Sequence, residues 1–373
     1  MPRPPAAGEI VSRRALNRAT LDRQFLLERT PKSVGEVLEH LVGMQAQTPH
    51  TAYVGLWTRI ASFQPENLSE RLADRSVVRL ALMRSTIHMV TARDAWGVRR
   101  LVQPVLDRGQ QGQFGRRLEG VDVEDVAEVG RAFLDASPRT FKALGDHLLT
   151  RWPDRDRLAL EMAVRAGVAL IQVPPRGMWG RSGPVAHTSI EAWLGRPPTE
   201  LPTLDAIVLR YLGAFGPAGV MDAQTWSGLT RLREVFERLR PGLVTFRDER
   251  GTELFDLPDS PRPHPDTTAP PRFLYDFDNL LLSHADRSRV IDPNVVRGVE
   301  RTQASLSTFT LDGSVAGTWG IGREGRAATL SLTPFRRVSR ADKRALELEG
   351  DGLLRFAADD ATDRRIRFVE GTM

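Results

Sequence analysis

Hydrophobic and polar positions in the first two thirds of the chain follow an order that recurs three times. In the first copy, apolar side chains three or four positions apart predict helices over residues 13–29, 33–45, 51–63 and, more briefly, 65–74. Ser33, with Glu36 three residues later, has the pattern of a capping box at the start of the second helix. Residues 77–92 then alternate apolar and polar, which predicts two strands. Three helices followed by a strand pair is the order of a winged helix.

The second and third copies repeat this order with different spacing. In the second, a predicted helix over residues 122–136 precedes the segments 137–149 and 155–173 and a glycine-rich turn at 174–185. The third copy comprises residues 203–216, 217–229 and 231–257. It ends in a predicted hairpin whose turn spans residues 248–252. Because the spacing between copies is irregular, a solenoid of stacked repeats is excluded.

A proline-rich stretch separates these copies from the rest of the chain. Residues 257–271, LPDSPRPHPDTTAPP, contain six prolines and predict an extended, exposed linker. Beyond it, short strand-like segments with turn signals at Asp312-Gly313 and Glu324-Gly325 predict a small antiparallel sheet or open barrel, with a helix near residues 339–356. We therefore expect an α+β fold, mostly helical, with three tandem winged-helix units and a C-terminal β-rich domain.

The expected domain boundaries follow from these changes in pattern. They are winged helix 1 over residues 1–100, winged helix 2 over 101–200, winged helix 3 over 201–257, the linker over 258–271 and the β-rich domain over 272–373.

Composition narrows the possible functions. The chain has 373 residues, 41% of them hydrophobic, and no cysteine, so zinc–thiolate sites, iron–sulfur clusters and disulfides are excluded. No run of about 18 apolar residues is present, so we expect no membrane helix, and the N-terminus lacks the apolar core of a signal peptide. The seven histidines have no metal-ligand spacing. We expect a cytoplasmic, nucleoid-associated protein that needs no metal or cofactor.

The positive charge is almost entirely arginine. The net charge is +5, and all but three of the 52 basic residues are arginine, the exceptions being Lys32, Lys142 and Lys343. A GC-rich genome favours arginine codons and could account for this bias by itself. Phosphate contact is the functional alternative, because guanidinium groups bind phosphate oxygens bidentately. Winged helices with this charge favour DNA as the partner, although the apolar segment PHTAYVGLWTR, our candidate groove helix in the first unit, suits base reading poorly.

Two glutamines stand out in the segment VGMQAQTPHTAYVGLW. Gln45 and Gln47 are separated by one alanine, and Pro49 disfavours helical geometry at Thr48. Residues two apart share a face in extended backbone but not in a helix. We expect the second helix to unwind here, so that both amides converge on one cavity. Polar residues facing water at a helix end are the alternative.

Three separated segments carry a family resemblance. LEHLVGMQAQTPHTAYVGLWTRI, LMRSTIHMVTARDAW and FDNLLLSHADRSRVI together resemble the winged-helix DNA glycosylases of the AlkZ-like branch, which has a Gln–apolar–Gln motif. The resemblance implies that Gln45 and Gln47 are catalytic. It also implies a C-shaped fold with a basic channel and hydrolysis of the N-glycosidic bond of bulky N7-alkylguanine adducts, including interstrand crosslinks formed by DNA-alkylating natural products.

The chemistry of such a substrate suits neutral amides. Alkylation at N7 makes guanine a cationic leaving group that needs no strong general acid. A glutamine oxygen could hydrogen-bond the attacking water and place a negative dipole near the oxocarbenium-like sugar. The last carbonyl groups of a helix ending at Gln47 would add the same sign.

Further residues are candidates for contact with DNA. Arg84, Thr86 and His88 alternate along a predicted strand, and two further clusters lie in the third-unit hairpin and in SHADRSR. Structural roles, such as a solvated face or an interdomain contact, are the alternative for each. The candidate DNA-binding residues are His50, Arg84, Thr86, His88, Arg247, Arg250, His284, Arg287 and Arg289.

The sequence thus predicts a monomeric, monofunctional DNA glycosylase acting on double-stranded DNA that contains alkylated guanine. Two alternative functions belong to other classes of protein. A non-catalytic winged-helix transcriptional regulator would need a groove helix rich in base-reading side chains. A resistance protein that sequesters the alkylating drug would bind it without chemistry.

Overall fold

Within residues 8–292 and 305–369, the computed structural model shows an α+β protein whose strands form three sheets. The described chain begins with strand β1 (Glu9–Val11) and helix α1 (Arg13–Arg23). Among these described residues, no helix is long and apolar enough to cross a membrane.

The first unit has the winged-helix order, with a short strand between its first two helices. Its elements are α2 (Val34–His40), β2 (Met44–Gln45), α3 (Thr51–Trp57), α4 (Pro65–Ala73), β3 (Val77–Ala81) and β4 (Ile87–Thr91). The capping box predicted at Ser33 is confirmed, since its side chain accepts from the Glu36 N–H and the Glu36 carboxylate accepts in return. Strand β4 pairs with both β2 and β3.

The second unit continues the sheet of the first. Two linking helices lead to the same helix–strand order: α5 (Ala92–Leu101), α6 (Gln103–Phe114), α7 (Val123–Ala136), β5 (Arg139–Thr140), α8 (Phe141–Arg151), α9 (Arg157–Gly167), β6 (Leu170–Gln172), β7 (Ala186–Ser189) and α10 (Ile190–Leu194). Leu80 of β3 pairs with Ile171 of β6. The two units therefore share one six-stranded sheet in the order β2-β4-β3-β6-β7-β5.

The third unit recruits the start of the chain. It comprises α11 (Leu204–Phe215), α12 (Val220–Ser227), α13 (Arg233–Leu239), β8 (Val244–Asp248) and β9 (Glu253–Asp256). Strand β1 pairs with β8 in parallel, and α1 packs against α11. The sequence pattern groups the helix beginning at residue 13 with the first unit, but its buried face contacts mainly the third unit and the C-terminal domain.

Arginines of α1 hold the proline-rich linker in place. No helix or strand occurs in residues 257–271, and most of them are at least partly exposed. Arg14, Arg18 and Arg23 donate hydrogen bonds to linker carbonyl groups. Arg23 also makes a buried bidentate ion pair with Asp256, at 2.6 and 2.8 Å.

The C-terminal domain is a five-stranded sheet covered by one long helix. Its elements are β10 (Arg272–Leu274), α14 (Asn279–Leu282), β11 (Thr308–Leu311), β12 (Ser314–Glu324), β13 (Ala327–Pro334), α15 (Arg340–Ala357) and β14 (Asp363–Phe368). Neighbouring strands from β10 to β13 are antiparallel, as the turn signals predicted. Strand β14 is parallel to β13, because α15 carries the chain back across the sheet.

Candidate functional site

The Gln-Ala-Gln segment is extended and lies on the edge of the first sheet. Helix α2 ends at His40, and a turn through Val42 and Gly43, both with positive φ, redirects the chain. Glycine is required at 43, because a Cβ there would lie 2.4 Å from the Val90 side chain. The expected helix ending at Gln47 is therefore wrong, and no helix-terminal carbonyl groups contribute negative potential at this position.

Both glutamine side chains contact the turn between β3 and β4. The buried Gln45 accepts a hydrogen bond through Oε1 from the Arg84 guanidinium at 2.7 Å. The exposed Gln47 accepts one through Oε1 from the Ile87 backbone N–H at 3.1 Å. Each amide oxygen keeps a second acceptor position. Both side chains are thus held by their amide oxygens, with Gln47 at the surface and Gln45 buried beneath it.

The β3–β4 turn is held from the other two units. Arg84 and Ser85 both adopt positive φ, a strained conformation for residues other than glycine. Arg84 donates to the carbonyl of Trp226 in the third unit. Arg165 of the second unit donates to the Ser85 carbonyl at 2.6 Å and to its hydroxyl at 3.1 Å. The position of both glutamines therefore depends on all three units.

Arg79 supports the same segment from within the sheet. Its fully buried guanidinium donates to the Ala46 carbonyl at 2.9 Å and to Gln172 Oε1 at 3.3 Å. Burial, and then the charge of Arg176, lower the pKa of Arg79 to about 10, so the group stays cationic at neutral pH. Among the described residues, its Nε has no acceptor. The main chain between the two glutamines is thus fixed by a buried cation.

Residues 275–279 of the C-terminal domain contact the chain on either side of the two glutamines. Asn279 donates to the Gly43 carbonyl at 2.8 Å. Thr48, directly after Gln47, donates its hydroxyl proton to the Asp276 carboxylate. Asp276 is not among the residues predicted from the sequence; it lies 228 positions from Thr48 and just before the FDNLLLSHADRSRVI segment. No local pattern could have joined these two residues.

Two histidines predicted to contact DNA are buried instead. His88 is 2% exposed and donates to the Thr86 carbonyl at 2.9 Å, while His284 is 3% exposed and donates to the Phe215 carbonyl at 2.9 Å. Burial lowers the pKa of each to about 3, with further lowering from Arg84 and Arg289 respectively. Both imidazoles are therefore neutral at neutral pH and do not reach the surface, so we correct the expectation of phosphate contact.

Three further candidates have structural partners. The expected strand face of Arg84, Thr86 and His88 is wrong, because the strand begins only at Ile87 and the first two residues lie in the turn. The Thr86 hydroxyl donates to the Met83 carbonyl at 3.0 Å. Arg289 is buried and donates to the Pro217 carbonyl at 3.0 Å, which makes it an interdomain contact rather than a phosphate ligand.

The remaining candidates lie nearer the surface. Arg247 and Arg250 are exposed on the β8–β9 hairpin, where Arg250 contacts Asp286 at 3.0 Å. Arg287 is partly buried. His50 lies beside the glutamine segment, with its ring 6.4 Å from that of Trp179, and partial burial lowers its pKa.

The helices of the first unit are poorly suited to reading DNA bases. The apolar segment chosen as a groove helix becomes α3, whose residues Ala52–Leu56 are all buried. In winged-helix order the groove position belongs to α4, which exposes Glu66 and Glu70. Two carboxylates on that face would repel phosphate, so this unit does not favour sequence-specific readout.

Comparison with known proteins places this site in a family. The family model for AlkZ-like DNA glycosylases matches residues 38–356, which include the glutamine segment and residues 275–279. The chain belongs to the AlkZ-like DNA glycosylases. Its enzyme class is therefore that of a DNA glycosylase, as the three sequence segments predicted.

A curated protein and a solved structure, both from Streptomyces sahachiroi, are similar to this chain. A curated protein of Streptomyces sahachiroi described as an interstrand DNA cross-link repair glycosylase is 27% identical over 357 residues, covering 88% of this chain and 92% of that protein. The solved structure of Streptomyces sahachiroi DNA glycosylase AlkZ superposes with a TM-score of 0.76 at 23% identity, covering 96% of this chain and all of that one. The fold is therefore shared over nearly the whole chain.

Proposed function

We propose that this glycosylase hydrolyses the N-glycosidic bond of bulky N7-alkylguanine adducts in double-stranded DNA, including interstrand crosslinks. We further propose that it acts as a monomer, with the domain boundaries given above except that residues 9–23 belong to the third unit, and that it protects its host from a DNA-alkylating natural product. The observation that carries the proposal is the paired anchoring of Gln45 and Gln47 on the β3–β4 turn, with Gln47 exposed. A guanine tethered to the opposite strand cannot be flipped into a closed pocket, so an exposed catalytic amide suits a crosslink.

In this mechanism Gln47 orients the attacking water through the second acceptor position of its amide oxygen. Gln45 cannot play the same part in this arrangement, because its side chain is buried against the Arg84 guanidinium and does not reach the surface. Its role is then to hold the β3–β4 turn against the glutamine segment. Water attacks C1′ as the C1′–N9 bond breaks, the bonding electron pair neutralises the cationic purine, and the attacking water loses one proton to leave a hydroxyl group on C1′.

The direct test uses a duplex with one defined N7-alkylguanine and a second duplex with an N7–N7 guanine crosslink. We expect mass spectrometry to detect the free alkylated base from the first. We expect denaturing gels to show separated strands from the second. If the enzyme releases the alkylated base from the first duplex but does not separate the strands of the second, crosslink repair is excluded while N7-alkylguanine excision stands. If it releases no base and protects only one operator sequence, the protein is a transcriptional regulator.

DNA binding should depend steeply on salt and little on sequence. Arg176 is half-buried beside Arg79, and no carboxylate lies within ion-pair distance of it among the described residues. If it contacts a phosphate, Arg176→Ala should reduce the slope of log K against log salt by about 1. Arg151→Ala is the matched control, because Arg151 is exposed on the same unit and paired with Asp125 at 2.7 Å. Equal slopes for the two variants would exclude the Arg176 contact.

Base excision should leave the abasic strand intact. Strand-nicking glycosylases form a Schiff base through an amine. In this chain, each of the three lysines lies against a carboxylate or an aromatic ring outside the glutamine segment. Lys32 lies 3.9 Å from Glu36, Lys142 lies 3.0 Å from Asp146, and Lys343 lies over the Phe368 ring. We therefore expect no covalent complex after borohydride treatment. A trapped adduct mapped to any of these lysines would refute the hydrolytic mechanism.

A further inference from the structure

Asp276 is a buried carboxylate with one oxygen unused. The residue is 8% exposed, and its Oδ2 accepts a hydrogen bond from the Thr48 hydroxyl. Among the described residues, no group donates to its Oδ1, which is itself fully buried. Burying an ionisable oxygen without a donor is costly.

The neighbouring carboxylate shows how this chain normally compensates a buried charge. Asp278 is fully buried but accepts two hydrogen bonds from Arg59, at 2.6 and 2.9 Å. Asp256 is likewise paired with Arg23. No cation lies within ion-pair distance of Asp276 in the described residues. Because selection removes such costs where they serve nothing, an uncompensated carboxylate beside a candidate site indicates function.

The backbone presents Asp276 to the glutamine segment. Phe277 adopts φ 60°, a left-handed conformation that is strained for an aromatic residue and separates the two aspartates. Asp278 caps α14 and pairs with Arg59, whereas Asp276 meets Thr48, the residue that follows Gln47. Arg84 lies on the same site and would oppose a positive charge on the sugar. A carboxylate here offsets that repulsion.

We infer that Asp276 is the general base of the reaction: its carboxylate accepts, through the Thr48 hydroxyl that already donates to it, the proton of the water that Gln47 orients, and its negative charge stabilises the oxocarbenium-like sugar. This inference rests on the proposed function. The water oxygen bonds to C1′, the C1′–N9 electron pair passes to the cationic base, and the water proton moves to Asp276. The products are a neutral N7-alkylguanine and an abasic deoxyribose, so atoms and charge balance.

Asp276→Asn tests the role with little change in shape. The amide can still accept from Thr48, but it has neither the negative charge nor the basicity of the carboxylate. We expect single-turnover release of N7-methylguanine from a duplex, or of the crosslinked base if the wild type does not release N7-methylguanine, to fall by about 10²–10⁴-fold, the usual contribution of a general base. Affinity for the same duplex should be unchanged or higher, since one negative charge is removed.

The melting temperature separates catalysis from structure. Asp276→Asn should melt no lower than the wild type, because it removes an uncompensated charge, whereas Asp278→Asn should melt lower because it breaks the pair with Arg59. Formate should partly restore base release by Asp276→Ala. An Asp276→Asn variant that excises at the wild-type rate, or loses rate only in proportion to lost folding or DNA binding, would overturn the inference. If the wild type releases no N7-methylguanine and no crosslinked base, the proposed function fails instead.

Discussion

Gln47→Ala is expected to slow single-turnover base excision by about 10²–10³-fold, the usual effect of removing one preorganised polar group from a transition state. Its affinity for duplex DNA should hardly change, because an amide carries no charge for phosphate. Gln47 is exposed and makes one hydrogen bond to the Ile87 N–H, so the variant should also melt near the wild-type temperature. Excision is measured by single-turnover kinetics, with a binding titration and a melting curve on the same samples.

Other glutamine variants sharpen this test. Gln47→Asp should exceed Gln47→Ala in rate, since a carboxylate can still accept a hydrogen bond from water. Gln45→Ala should lose activity too, but it should also be destabilised by about 1–3 kcal/mol, because it leaves the largely buried Arg84 guanidinium short of an acceptor. Gln111→Ala, an exposed glutamine on α6, is the control. Full excision by Gln47→Ala would remove its catalytic assignment.

Breaking the Arg59–Asp278 pair is expected to have the largest effect on stability. Both side chains are fully buried, and the pair joins the end of α3 to the C-terminal domain. Replacing one partner leaves an uncompensated buried charge, which costs about 3–5 kcal/mol. Arg59→Met and Asp278→Asn should each lower the free energy of unfolding by an amount of this order, measured by chemical denaturation.

The double replacement Arg59→Met with Asp278→Leu should recover much of that loss, because no charge then remains buried. Arg355→Ala is the comparison at the surface, where its pair with Asp351 lies on an exposed face of α15. Such pairs contribute less than about 1 kcal/mol. Single variants of Arg59 or Asp278 that unfold no more easily than Arg355→Ala would contradict the assignment of this pair as a main interdomain contact.

Features that depend on neighbours in the chain could be predicted from the sequence. The period of apolar residues located most helices and the strand pairs, and the capping box placed the start of α2 correctly. The prolines of residues 257–271 indicated a segment without helix or strand. The Gln–apolar–Gln motif, read with the two other segments, identified the family.

Features that depend on packing between distant segments could not be predicted. Strand β1 pairs with β8, more than 200 residues away, and the sequence of neither strand indicates which strand it pairs with. The burial of His88 and His284 follows from how the units and the C-terminal domain close over them, whereas a polar residue in an alternating segment looks exposed. The course of residues 41–45 also differs from the helix expected over 33–45, because the pairing of β2 with β4 outweighs a local helical pattern.

The sequence by itself therefore determined the α+β architecture, the order of its elements and the family, and it singled out the two glutamines of the proposed site. Only the tertiary structure placed Arg79, Arg84 and Asp276 around those glutamines. The physical reason is the range of each effect. Hydrophobic periodicity, capping and turn preferences act over a few residues, whereas a hydroxyl at position 48 meets a carboxylate at 276 only after the first unit and the C-terminal domain have packed together.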